Sequence, residues 1–432
     1  MMILDGLLAK SDNPQKDAYF WNALSACLNS FQTMLLLLAL THFGTDEDSS
    51  IFVMAYAIGN LLLHVGKFGV RQFQVTDVNE VYSFAQYKRA RLGSLAFMLV
   101  ALAGYITWGG LANGYSLRKT AVIILITLFK GIEAAEDVLH GRMQQLGRLD
   151  IAAKILAIRL IVFIVGFATV FLITRDLLLT AAINVLITLV LAVALNRAVI
   201  HRFQNTAKEE TKRTNELIWD CVPLCLTNVM LIYLNGAPKY AIDGLVSDSV
   251  QTGFNIVFMP AFVVALLSNF IFNPVLKKIG VLWSNREIKD LNRMVLKLAL
   301  IPIAIDIVVV IAGRFLGPPI LGFVYGVDVY PFTGELLVFL IASGIMALQN
   351  LFVALLTTMR KQHQLMACYA GSSLAMVFLG RMVLRKLGLL ALCWVYLFVL
   401  VITLLITVCI YLNMTHKQKT QHVTPIDEEE VQ

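Results

Sequence analysis

Long apolar stretches alternate with short polar ones along nearly the whole chain, and most have the length of a bilayer crossing. A hydrocarbon core of about 30 Å takes about 20 helical residues. Windows of that kind fall at 18–43, 49–69, 92–109, 119–141, 150–173, 177–196, 217–236, 250–273, 294–316, 334–359, 363–383 and 388–413, so about 12 transmembrane helices are predicted. The eleventh is interrupted by Arg381. After the second window, "QFQVTDVNEVYSFAQYKRAR" sets Phe73, Val75, Val78, Val81, Tyr82 and Phe84 against a basic end, the pattern of an amphipathic element at the membrane surface. Residues 414–432 are polar and unpatterned and are expected to form a disordered cytoplasmic tail.

Lysine and arginine placement tests the count independently, because cytoplasmic loops retain the positive residues. With the N-terminus inside, 26 of the 35 fall in cytoplasmic segments and 8 in outer ones, and Lys130 is assigned to the interior of a span. Both termini are therefore expected in the cytoplasm. A composition of 58% apolar and 15% charged residues fits an all-α polytopic membrane protein. The net charge of +7 becomes a topology signal, which removes the main support for a nucleic-acid partner. The first residues mix acids with bases and do not resemble a cleaved signal. Cys27, Cys221, Cys225, Cys368, Cys393 and Cys409 all fall inside predicted helices, so neither a disulfide framework nor a metal site is expected.

The polar connector 197–216 separates an N-terminal lobe, 1–196, from a C-terminal lobe, 217–413, with six spans each. An even number of spans gives the two lobes the same orientation and permits a parallel repeat. At a shift of 198, Trp21, Cys27 and Leu28 match Trp219, Cys225 and Leu226, and "GRMQQLG" after span four is echoed by "MRKQHQL" after span ten. Repeats of this kind recur in alternating-access transporters. The connections are too short for a soluble catalytic domain, and no phosphate loop, nucleophile elbow or metal-ligand spacing stands out, so an enzyme is not expected.

Two segments, "GKFGVRQFQVTDVNEVYSFAQYKRAR" from Gly66 and "EDVLHGRMQQLGRLDIAAK" from Glu136, resemble the cytoplasm-side segments of Wzx-like polysaccharide-repeat flippases of the multidrug/oligosaccharidyl-lipid/polysaccharide exporter superfamily. The second half matches that family in hydropathy alone. The resemblance implies two six-helix lobes in a V. They would carry an undecaprenyl-diphosphate-linked oligosaccharide to the outer leaflet of a bacterial inner membrane, for a surface polymer such as capsule or lipopolysaccharide. It further implies contact with membrane lipid and with other polysaccharide-assembly proteins, an ion gradient as driving force, and no cofactor.

Span four carries the chemistry. At 100° per residue, Lys130, Glu133, Glu136, Asp137 and His140 fit one sector of about 120°. A charge at the bilayer centre costs roughly 2.5–3.5 kcal/mol, so that sector must face water or protein partners. One reading makes Lys130 a cavity cation for a lipid-linked diphosphate and Glu133, Glu136 and Asp137 coupling-ion sites. The other makes Lys130 and Glu133 a structural pair, with the rest at the headgroup level. Lys67, Arg71 and Arg142 are further candidates for an anionic headgroup or are snorkelling anchors. Asn22, Ser25, Asn29 and Gln32 share a face of span one and either bond a neighbouring helix or bind sugar. Asp220 and Thr227 share a face of span seven, Pro223 and Pro260 permit bends, and Asp306 is expected to pair with Arg314 or a residue elsewhere. Charge is thus expected in the first lobe. The functions compatible with this pattern are flipping of lipid-linked oligosaccharide, multidrug or cation antiport on the same fold, and an intramembrane transferase.

Overall fold

A computed structural model describes residues 8, 13–77, 81–203, 214–272, 275–359 and 362–420. The helices are α1 (Pro14–Phe43), α2 (Asp46–Lys67), α3 (Val70–Thr76), α4 (Phe84–Asn113), α5 (Leu117–Gln145), α6 (Leu149–Thr174), α7 (Leu177–Val199), α8 (Thr214–Ile242), α9 (Asp248–Phe272), α10 (Leu276–Ser284), α11 (Ile288–Tyr325), α12 (Thr333–Thr358), α13 (Gln362–Leu387) and α14 (Leu389–Thr420). No strand occurs among the described residues. Apart from the short α3 and α10, the helices coincide one for one with the predicted spans. Ten are long and apolar enough to cross a membrane. The other two are α5, which carries the charge cluster, and α9, whose side chains at 263–271 are outside the described residues.

Local sequence explains where these helices start and stop. Asn13 caps α1 by accepting from the Lys16 amide at 3.1 Å, with Pro14 in the first turn, where no amide hydrogen is needed. Thr45 with Asp48, and Ser83 with Gln86, form capping boxes at the starts of α2 and α4. The Ser83 box starts α4 eight residues before the predicted span, so Lys88, Arg89 and Arg91 are helical rather than loop residues. At the C-terminal end, α14 runs on to Thr420. Residues 414–420 of the expected disordered tail therefore continue the helix, because Gly and Pro are absent from that stretch. The rest of the tail, and 204–213 of the connector with Lys208, Lys212 and Arg213, lie outside the described residues.

By contact the chain forms two compact units, Met1–Asn255 with Gly322–Val327, and Ile256–Leu321 with Asp328–Gln432. This division by contact falls within α9, because α8, the seventh span, packs against α2 and α4. In unit 1, α1 lies along α6, α2 along α5, and α7 against α5 and α6. In unit 2, α14 packs on α12 and α13. Thus spans four and five both pack on six, and spans ten and eleven both pack on twelve, the relation a parallel repeat requires.

Candidate functional site

Two small residues set the spacing of the central pair. A Cβ on Gly66 would meet Met98 Sδ at 2.6 Å and the Ala134 Cβ at 3.1 Å, so glycine in α2 and alanine in α5 let the two helices approach closely. That approach places Lys67, the last residue of α2, beside the charged sector of α5. Phe68 and Gly69 then adopt left-handed backbone conformations, with φ of 48° and 71°, and turn the chain into α3, which carries Arg71.

The five residues predicted to share one face of α5 do so, and that face is buried: Lys130, Glu133, Glu136, Asp137 and His140 are all at most 7% exposed. Its charges meet partners from five other helices. Glu133 receives Lys67 Nζ at 2.9 Å, Lys130 Nζ at 3.4 Å and Arg159 at 3.8 Å. Glu136 takes Arg159 Nε at 2.8 Å and the Asn196 amide at 2.7 Å. Asp137 takes Arg71 at 3.2 Å and Arg91 at 2.9 Å. Lys130 also donates to the Tyr56 hydroxyl at 3.0 Å and lies over its ring, and Tyr56 donates to Gln32. Five cations, Lys67, Arg71, Arg91, Lys130 and Arg159, therefore surround three acids, a local excess of two positive charges.

A cavity of about 270 Å³ opens at the edge of this network, lined by His64, Lys67, Gly69, Arg71, Gln72, Asp137 and Asn228. Lys67 and Arg71 keep 30% and 27% of their side chains exposed there, against 1% for Lys130. The cationic groups presented to the cavity are thus Lys67 and Arg71, while Lys130 is locked behind them. Arg71 is steadied by donating Nη2 to Gln144 at 2.8 Å. The acids expected to take a coupling ion are each engaged by protein cations.

The remaining sequence candidates divide. Gln32 joins the network through Tyr56 and is buried, whereas Asn22 and Asn29 lie exposed on α1 and are not brought to it. Arg142 is buried at the inner end of α5, donating to Gln145 at 2.9 Å and to the Phe203 carbonyl at 3.4 Å, and does not line the cavity. Asp220 accepts from the Tyr82 hydroxyl at 3.0 Å, and Thr227 bonds back to the Pro223 carbonyl at 2.8 Å. Asp306 meets Ser343 rather than Arg314. Sequence reasoning missed Arg91, Arg159, Tyr56 and Asn196. Arg159 had a usable signal: it lies well inside the fifth window, as Lys130 does in the fourth.

Outside the spans, the connection between α3 and α4 is closed by Asp77, which accepts from the Val81 and Tyr82 amides at 2.9 and 3.0 Å and from the Tyr87 hydroxyl at 2.9 Å. Burial, then the bond to Asp220, pushes the Tyr82 phenol up to about 12. On the opposite side, Asp243 at the end of α8 holds Lys119 at 2.6 Å, Asn113 at 3.1 Å and the Tyr115 hydroxyl, all from the α4–α5 corner. These contacts fix both ends of α8 within unit 1.

No protein-family profile and no curated relative matches the chain by sequence. Solved structures do match in fold. A multidrug-resistance MATE family transporter of the MOP superfamily, in an inward-facing conformation, is 13% identical over 90% of this chain and 96% of its own, with a TM-score of 0.63. The Vibrio cholerae MATE transporter VcmN is 9% identical over 96% and 98%, with a TM-score of 0.64. A MOP superfamily transporter from Pyrococcus furiosus is 11% identical over 97% and 99%, with a TM-score of 0.62. Its described residues form an all-helical structure, ten of whose helices are long and apolar enough to cross a membrane, and the chain shares the fold of these MATE transporters.

Proposed function

We propose that this protein moves an undecaprenyl-diphosphate-linked oligosaccharide from the inner to the outer leaflet of a bacterial inner membrane by alternating access, for export of a surface polysaccharide. The observation that carries the reading is the cavity of unit 1, where Lys67 and Arg71 are exposed in front of a network with more cations than acids. A diphosphate is the part of such a substrate that needs fixed positive charge, and arginine and lysine are the side chains that recognise it. Sugar hydroxyls would find Gln72 and Asn228 on the same wall. Partners on this reading are the lipid carrier and the proteins that assemble the polymer.

Multidrug or cation antiport is the second reading, favoured by the described function of the inward-facing neighbour and by Asp137 on the cavity wall. Against it stands the polarity of that wall, since two exposed cations repel a cationic drug. The Pyrococcus furiosus neighbour offers a parallel: reversed polarity of its binding pocket is described as suggesting a different function for it. A deletion strain separates the two readings. Flipping predicts loss of surface polysaccharide with lipid-linked repeat units trapped in the inner leaflet. Intact polysaccharide with new sensitivity to cationic drugs would establish antiport instead.

A further inference from the structure

The open face of α2 is narrow. From Asp48 onward the helix is buried except at Ala57, Asn60, Leu61, His64 and Lys67, which fit one sector of about 120°. Asn60, His64 and Lys67 make that face polar, and its inner half, His64 and Lys67, lines the cavity beside Arg71 and Asp137. Hydrogen placement on the His64 ring carries the inference. Nδ1 lies 2.9 Å from the Asn60 carbonyl oxygen, one turn back. A carbonyl only accepts, so Nδ1 carries the hydrogen, and on a neutral ring Nε2 keeps a lone pair. Nε2 has no hydrogen-bond partner among the described residues and is open to solvent, whereas Nε2 of His140 is buried without a partner. The cavity wall therefore presents two fixed cations and one base with a free lone pair.

The charged groups around the ring are committed to one another. Lys67, on the same helix, pairs with Glu133 of α5, which also holds Lys130, and Arg71 of α3 pairs with Asp137 of α5. From α4, Arg91 turns to Asp137, and α1 brings the neutral Gln32 to Tyr56. From α8 come Asn228 on the cavity wall and the Tyr240 hydroxyl, which donates to the Ala57 carbonyl at 3.0 Å. An anion drawn in by Lys67 and Arg71 meets Nε2 on the same wall. The oxygens of a diphosphate diester are ionised and only accept, as Nε2 does, so the two repel until a proton joins them. A third positive charge beside Lys67 and Arg71 is in turn unfavourable unless an anion lies there. Anion and proton therefore belong together.

We propose that His64 is a third, proton-dependent ligand in this cavity: Nε2 binds a proton from water together with the anion and donates it as a hydrogen bond to a phosphate oxygen. The inference rests on the anionic cargo proposed above, and the test separates the two. Farnesyl-diphospho-N-acetylglucosamine is a diphosphate diester with no group of its own titrating between about pH 5 and 8. It is titrated calorimetrically into the full-length protein in nanodiscs, with empty nanodiscs subtracted, in buffers of different ionisation enthalpy so that protons taken up are counted. Wild type should take up protons with the diester, at most one per site. Its binding should tighten as the pH falls from about 8 to 5, by up to about tenfold per unit. His64→Asn lacks the base, while its amide keeps a donor for the Asn60 carbonyl, as those of Asn184 and Asn196 do toward Thr180 and Ala192 at 2.9 Å each. It should take up none and bind alike at both pH values. Binding by wild type that takes up no proton and ignores pH would overturn the role of His64 and leave the anion cavity standing. Proton uptake undiminished in His64→Asn would give the proton to another group and overturn it too. No binding by wild type at any pH would overturn the anionic reading itself, and this inference with it.

Discussion

Arg159 is wholly buried between Glu136, which it meets at 2.8 Å, and the Phe129 ring. Its loss leaves a buried carboxylate with a single amide donor, and breaking a buried pair of this kind costs about 3–5 kcal/mol. Arg159→Met should therefore lower the melting temperature in detergent sharply, and adding Glu136→Gln should restore most of it; equal melting temperatures for wild type and Arg159→Met would deny that the pair is strained by truncation. Lys67 and Arg71 have a different role. They are partly exposed at the cavity, and Glu133 and Asp137 keep Lys130, Arg159 and Arg91 as partners without them, so Lys67→Gln with Arg71→Gln should lower the melting temperature less than Arg159→Met while abolishing complementation of a deletion strain. Lys130→Ala should cost stability first, since its ammonium is held by Tyr56 and Glu133. The angular sector of α5 was legible from one helix alone. Arg91, Arg159, Tyr56 and Asn196 were not, because which residues complete a network depends on how other helices pack.

At the scale of elements, hydropathy is local, and so every span could be placed from the sequence; the capping boxes that lengthen α4 are also local but lie outside the apolar window. The assignment of α8 to unit 1 was not legible, since it follows from contacts on its two ends. One is the Tyr82–Asp220 bond at 3.0 Å. The Tyr82 phenol is raised from 10.0 to about 12, so the neutral phenol stabilises the fold fully below pH 10 and loses that contribution as pH rises from 10 to about 12. Alkaline unfolding should begin at higher pH in wild type than in Tyr82→Asn; coincident curves would show that the bond contributes nothing. At the other end, Asp243→Ala strands Lys119 and leaves Asn113 and Tyr115 without their shared acceptor. A loss of about 3–5 kcal/mol is expected there too. Limited proteolysis of the α4–α5 corner should report it, and an unchanged cleavage rate would contradict it.

For the whole molecule, the MATE fold supplies a scaffold on which quite different cargo can move, and the cargo must be argued from the site. The sequence pointed to the first six spans as the charged half, and the buried network in unit 1 lies there, on α2, α3, α4, α5 and α6 with Asn196 from α7. On the function proposed above, its excess of positive charge beside the cavity favours an anionic cargo over a cationic one. Reconstitution offers the most direct measurement: proteoliposomes carrying a fluorescent undecaprenyl-diphosphate-linked sugar, with leaflet transfer followed by quenching from outside. Wild-type protein should move the lipid, and the Lys67→Gln, Arg71→Gln variant, compared at an equal amount of folded protein and below its own melting temperature, should not. Transfer of a cationic dye with no movement of the diphosphate lipid would contradict the account.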